Sequence, residues 1–133
     1  MLNPLTGKTI FVQIASFRDS QLLPTLHDMI DRADEPENLR ICICWQHSED
    51  DEWDHLLEFK GDTRFNIIDI DAKDSKGVCW ARNLIQQEYD GEDFTLQLDS
   101  HHRFVDGWDT MMKNQILQLQ LHGHAKPLIT GYM

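Results

Sequence analysis

Short runs of β-branched and aromatic residues alternate with amphipathic stretches along this chain, and that alternation limits the folds open to it. "KTIFVQIAS" (8–16), "NLRICICWQ" (38–46), "RFNIIDID" (64–71) and "DFTLQLD" (93–99) predict buried strands. Residues 19–33, 76–89 and 107–123 predict helices. Residues 48–59 predict a short acidic helix or loop whose charges form a solvated face. "KPLITGYM" (126–133) predicts the start of a fifth strand. The order βαβ(α)βαβαβ implies the α/β class: a Rossmann-like, mostly parallel sheet with helices on both faces.

Local signals refine this. Asp19 or Ser20 can cap the first helix, and Leu22, Leu26, Met29, Ile30 and Ala33 form its apolar stripe. Pro24 fits only within the first turn. Gly77 lets the chain enter the second helix. Trp108, Met111, Met112, Ile116 and Leu119 follow the helical period in the third, and Gly123 suits its C-terminal cap. His122 and His124 flank that end and serve its last carbonyls.

A length of 133 residues predicts one domain, 1–133. The net charge of −11 repels phosphate backbones and argues against a nucleic-acid partner. Binding a nucleotide would need a metal ion or a few well-placed Arg and Lys. No run approaches the ~20 apolar residues of a membrane span. The first residues lack a secretory apolar core, and three cysteines make no disulfide framework, so a cytoplasmic location is expected. Cys42 and Cys44 share one strand face and are expected buried as small hydrophobes.

In parallel sheets ligands sit outside the carboxyl ends of the strands. That would gather "SFRD", "WQHS" and "DSHH". Residues two apart in a strand point the same way, so Asp99 and His101 can converge on one ion while Ser100 points elsewhere. One carboxylate and one imidazole suit Mn²⁺ better than Mg²⁺ or Ca²⁺. The plainer alternative makes Asp99 and His102 turn or cap residues and leaves His101 exposed. Ser16 and Arg18 lie where a strand gives way to a helix, a place that favours an anion; the alternative is a cap at Asp19 with Arg18 solvated. Arg82 either reaches a phosphate or pairs with an acid such as Asp69 or Asp71.

"IFVQIASFRDSQLLPTLHDMI", "LRICICWQ", "KGVCWARNLIQQEYDGEDFTLQLDSHHRFVDGWDTMM" and "LITGYM" together resemble the N-terminal half of the cytoplasmic-type hydroxyproline N-acetylglucosaminyltransferases. More distantly they are similar to the polypeptide N-acetylgalactosaminyltransferases. "KGVCWAR" and "LQLDSHHRFVDGWD" carry most of the likeness. The resemblance implies a GT-A fold and a metal-dependent, retaining transfer of N-acetylglucosamine from UDP-GlcNAc to a protein hydroxyl, on hydroxyproline or Ser/Thr. It implies that Asp99 and His101 are the metal-binding D-x-H motif, with Mn²⁺ as the expected ion. It implies that Ser16, Phe17 and Arg18 line the donor site and that Arg82 and Asp99 approach the donor. Trp45 and Gln46 fall where the distant relatives carry acidic nucleotide contacts, which puts Gln46 in the donor site.

Catalytic domains of this kind continue past a fifth strand, so the chain is expected to be truncated at its C-terminal end. The acceptor-binding half and a further metal ligand would then lie outside it, and a homodimer would cover exposed sheet. The competing expectations are a non-catalytic sugar-nucleotide and metal-binding module, or an inactive fragment with an interaction role.

Overall fold

The computed structural model describes residues 5–131. Four strands form one parallel sheet: β1 (Ile10–Phe17), β2 (Leu39–His47), β3 (Phe65–Asp71) and β4 (Phe94–Asp99), in the order β3-β2-β1-β4. Three helices connect or follow them: α1 (Leu22–Arg32), α2 (Val78–Gln86) and α3 (Trp108–Leu121).

The predicted α/β class and parallel sheet are what forms. β1 and β2 are central, which is why their apolar runs are nearly continuous. Ile10, Val12 and Ile14 of β1 pack with Leu39, Ile41 and Ile43 of β2 beneath Leu22, Leu26 and Met29 of α1 and Trp108 of α3. On the opposite face Phe11, Cys42 and Cys44 pack against Ala81 and Ile85 of α2. Both strand thiols are buried as expected, and burial pushes Cys42 up to about 12. β4 is an edge strand, and Thr95 and Gln97 stay exposed on the α2 face, in register with Phe11 and Gln13.

The strand order reverses beside β1. β2 and β3 lie on one side of it, and β4 joins the other. In register, Ala15 of β1 pairs with Asp99 of β4 and Ser16 with Trp45 of β2. A reversal of this kind opens a crevice at the carboxyl ends of the two strands.

Several sequence expectations change. Residues 126–131 form no strand, and Leu128 is 86 % exposed; residues 132 and 133 of the predicted fifth strand lie outside the described residues. Strand-forming side chains need a neighbouring ladder, and this segment pairs with no strand of the sheet. Residues 48–59 are a loop that closes in a 3₁₀ turn, Leu57–Phe59, and its charges are not all solvated, since Asp51 and Asp54 are buried. In α3, Met111 points to solvent while Lys113 is buried, its Nζ donating to the Lys8 carbonyl at 2.7 Å and lying 3.7 Å from Glu35. Pro24 is the third residue of α1, within the first turn. Past α3, Gly123 has φ +99°, and the N–H groups of Gly123 and His124 donate to Gln120 and Leu119. That is a Schellman end, so the last carbonyls are served by backbone and not by imidazoles.

Candidate functional site

The crevice is built from the turn after β1. Arg18 has φ +44°, a left-handed conformation that is uncommon for a residue with a Cβ, and its N–H donates to the Gln46 carbonyl at 2.9 Å. This tight reversal brings Asp19 against the end of β4. Oδ1 of Asp19 accepts the Gln21 N–H at 2.9 Å. Oδ2 accepts the Ser100 hydroxyl at 2.5 Å and meets Nδ1 of His101 at 3.0 Å. Burial alone would raise this carboxyl, but the bonds from Ser100, Gln21 and His101 outweigh it and hold Asp19 below the usual range.

Asp99 and His101 do converge. Oδ2 of Asp99 lies 3.9 Å from Nε2 of His101, and their side chains are 56 % and 59 % exposed. Arg82 of α2 also reaches this carboxylate, with Nη2 3.4 Å from Oδ1. The predicted partners Asp69 and Asp71 are not the acids it meets: Asp69 sits 2.6 Å from Nε2 of His47, and Asp71 caps the turn after β3 through the Lys73 N–H. Asp99 stands on the sheet face that carries α2, which makes it the nearer acid. Nε of Arg82 is buried without a partner among the described residues.

A polar seam on α1 holds the segment after β4. Thr25 is fully buried; its hydroxyl donates to the Ser100 carbonyl at 2.9 Å and accepts the His102 N–H at 3.0 Å. Gln21 accepts from Arg103, and Asp28 accepts the Phe104 N–H and pairs with Arg32. Arg32 in turn reaches Asp106 at 3.0 Å. Gln21, Thr25, Asp28 and Arg32 lie on one helix face, beside the apolar stripe.

The rest of the edge is more enclosed. Arg18 is bound in fork geometry by Asp51, with Nε at 2.6 Å and Nη2 at 2.9 Å, so the guanidinium is not simply solvated. That pairing raises Arg18 and lowers Asp51. Asp54 accepts the Trp45 indole N–H at 2.7 Å while its Oδ2 has no partner among the described residues. Burial pushes Asp54 up, and the charges of Asp51 and Asp19 add to that. Gln46 is buried; its amide donates to the Ser16 carbonyl at 3.1 Å and accepts from the Ser75 hydroxyl, so both ends are used inside the protein. The Ser16 hydroxyl is buried and unpartnered among the described residues. Phe17 is 55 % exposed at the mouth of a cleft of about 630 Å³, lined also by Arg18, Ser48, Asp71 and Lys73.

Of the residues singled out in the sequence, Asp99, His101 and Arg82 form one cluster. Phe17 and Arg18 line the cleft, and Ser16 and Gln46 are buried and do not line it. The sequence reading missed Thr25, Asp51 and Asp54, and took Asp19 for a cap alone. Among the described residues, no group of three or more His, Cys, Asp or Glu could hold a metal ion, and no helix is long and apolar enough to cross a membrane.

A family model described as Glycosyltransferase (GlcNAc) matches residues 9–63 and 55–133, nearly the whole chain. The chain belongs to the GlcNAc glycosyltransferase family. No curated protein gives a significant match.

Proposed function

We propose that this glycosyltransferase is metal-dependent and of the GT-A type, moving N-acetylglucosamine from UDP-GlcNAc to a protein hydroxyl with retention. The observation that carries the reading is the convergence of Asp99 and His101 at the reversal of strand order. Metal–ligand bonds of about 2.1 Å leave neighbouring ligand atoms roughly 3.0–3.4 Å apart, so Oδ2 and Nε2, at 3.9 Å, would close by about half an ångström around an ion. The donor set of one carboxylate oxygen and one imidazole nitrogen suits Mn²⁺. When bound, the ion would act as a Lewis acid for the charge on the departing diphosphate.

The other residues supply position and charge. Arg82 offers a guanidinium beside Asp99, suited to a phosphate oxygen. Phe17 offers an exposed ring at the cleft mouth, suited to stack on uracil. Nη1 of Arg18 has no hydrogen-bond partner among the described residues and is available to the donor, while Asp51 holds the rest of the fork. Ser16 and Gln46, being buried, would act on the donor only through the backbone they hold.

Calorimetric titration of UDP-GlcNAc, with and without Mn²⁺, tests this in the intact protein and in Asp99→Ala. Donor heat that requires both the metal and Asp99 supports the reading. Equal heat without metal overturns its metal dependence. UDP release that depends on a hydroxyproline or Ser/Thr peptide would separate transfer from donor binding alone.

A further inference from the structure

We infer that Asp19 is a positioning residue that holds His101 in its Nδ1–H tautomer and so leaves Nε2 open on the side of Asp99. The contacts form a chain. Oδ1 of Asp19 takes the Gln21 N–H at 2.9 Å, a backbone donor that cannot reverse its role. Oδ2 takes the Ser100 hydroxyl at 2.5 Å and faces Nδ1 of His101 at 3.0 Å. An ionised carboxylate only accepts, so the ring nitrogen facing it must donate. An aspartate is ordinarily ionised at neutral pH, and the Gln21 N–H and the Ser100 hydroxyl both donate to this one. A neutral imidazole carries one N–H, so with the proton at Nδ1 the lone pair is at Nε2, which lies 3.9 Å from Asp99.

The backbone of the same segment is fixed separately. Thr25 holds the Ser100 carbonyl and the His102 N–H, on either side of the imidazole. Thr25 therefore sets where His101 stands, and Asp19 sets which nitrogen it presents. A carboxylate behind an imidazole is also how metal-ligating histidines are oriented and made more basic. That last consequence rests on the metal reading proposed above; the tautomer does not.

Asp19→Asn gives a prediction with a definite sign. The Gln21 N–H requires the amide oxygen on its side, which turns the NH₂ toward Ser100 and His101. The Ser100 hydroxyl can rotate and accept, but Nδ1 can accept only by losing its proton to Nε2. The substitution therefore reverses the tautomer and closes the nitrogen beside Asp99.

The experiment is ¹⁵N NMR of the imidazole nitrogens in the metal-free protein, at a pH where the rings are neutral. The intact protein should show His101 protonated at Nδ1, and Asp19→Asn should show it protonated at Nε2. Asp19→Ala, which removes the acceptor without offering a donor, should give the averaged shifts of an unrestrained ring. Protonation at Nε2 in the intact protein overturns the assignment, as does an unchanged pattern in both variants. Mn²⁺ titration of the same samples should show affinity lowered about 10- to 100-fold in Asp19→Asn. If the intact protein binds no Mn²⁺ while the tautomer still reverses, the metal reading fails and the role of Asp19 stands.

Discussion

Asp109 and Asp99 are carboxylates at opposite ends of the same layered fold, and they are treated in opposite ways. Asp109, in the first turn of α3, is 1 % exposed, and its two oxygens accept the N–H groups of Asp34 and Glu35 at 2.9 Å each. Its acceptor capacity is spent on the backbone that leads into β2. Asp99 is more than half exposed, and its partners stand off at 3.4 and 3.9 Å. An acid that closes a structure is short-bonded and dry. Asp99 is loosely held, with acceptor capacity left over. Lys113 belongs with Asp109 and Arg82 with Asp99, on the same distinction.

Substitutions can break this contrast. The largest loss of stability is expected from Asp109→Ala, about 2 kcal/mol, because two backbone donors lose their acceptor together; urea unfolding measures it. Thr25→Val comes next, about 1–1.5 kcal/mol, since it deletes a buried hydroxyl that joins α1 to residues 100 and 102. The same variant should also weaken any Mn²⁺ binding, which calorimetry would register. If Thr25→Val left both quantities unchanged, the seam on α1 would not be holding the site.

Asp54→Asn should stabilise the protein slightly at neutral pH, by about 0.5 kcal/mol after allowance for solvent screening. Burial raises this carboxyl in the folded state, so its ionisation opposes folding as pH rises from the ordinary aspartate range through the raised one. The gain from Asn should therefore vanish in acid, below that ordinary range, and unfolding midpoints across pH would show it. Asp99→Ala should change stability least, by less than about 0.5 kcal/mol. It should nevertheless abolish metal-dependent donor binding, which sets it apart from Asp109 most sharply.

Much of the layered fold was legible because β-branched runs and helical stripes report burial directly. Ile10, Val12, Ile14, Leu26 and Met29 are where the periodicity puts them. Asp99 and His101 were legible as neighbours from their spacing at a strand end, but β4 stops at Asp99 and His101 stands in a bend held by Thr25 and Asp19, contacts that alternation along a strand does not report. The segment 126–131 was misread because a strand depends on a partner that its own residues do not specify. Asp51 and Asp54 looked solvated because a run of acids looks the same whether or not one meets a guanidinium or an indole. What draws them in is Arg18 in its left-handed conformation and Trp45 at the end of β2, contacts that join separate turns. The seam on α1 did leave a trace: Gln21, Thr25, Asp28 and Arg32 recur at helical spacing beside the apolar stripe.

That seam divides the pair at the crevice between two carriers. Asp99 rides on the sheet, in register with Ala15, whereas His101 rides on α1 through Asp19 and Thr25. The gap between carboxylate and imidazole is thus a gauge of how closely the helix sits on the sheet. A side chain exchanged deep under α1, at Leu26 or Met29, would alter that span without touching either Asp99 or His101.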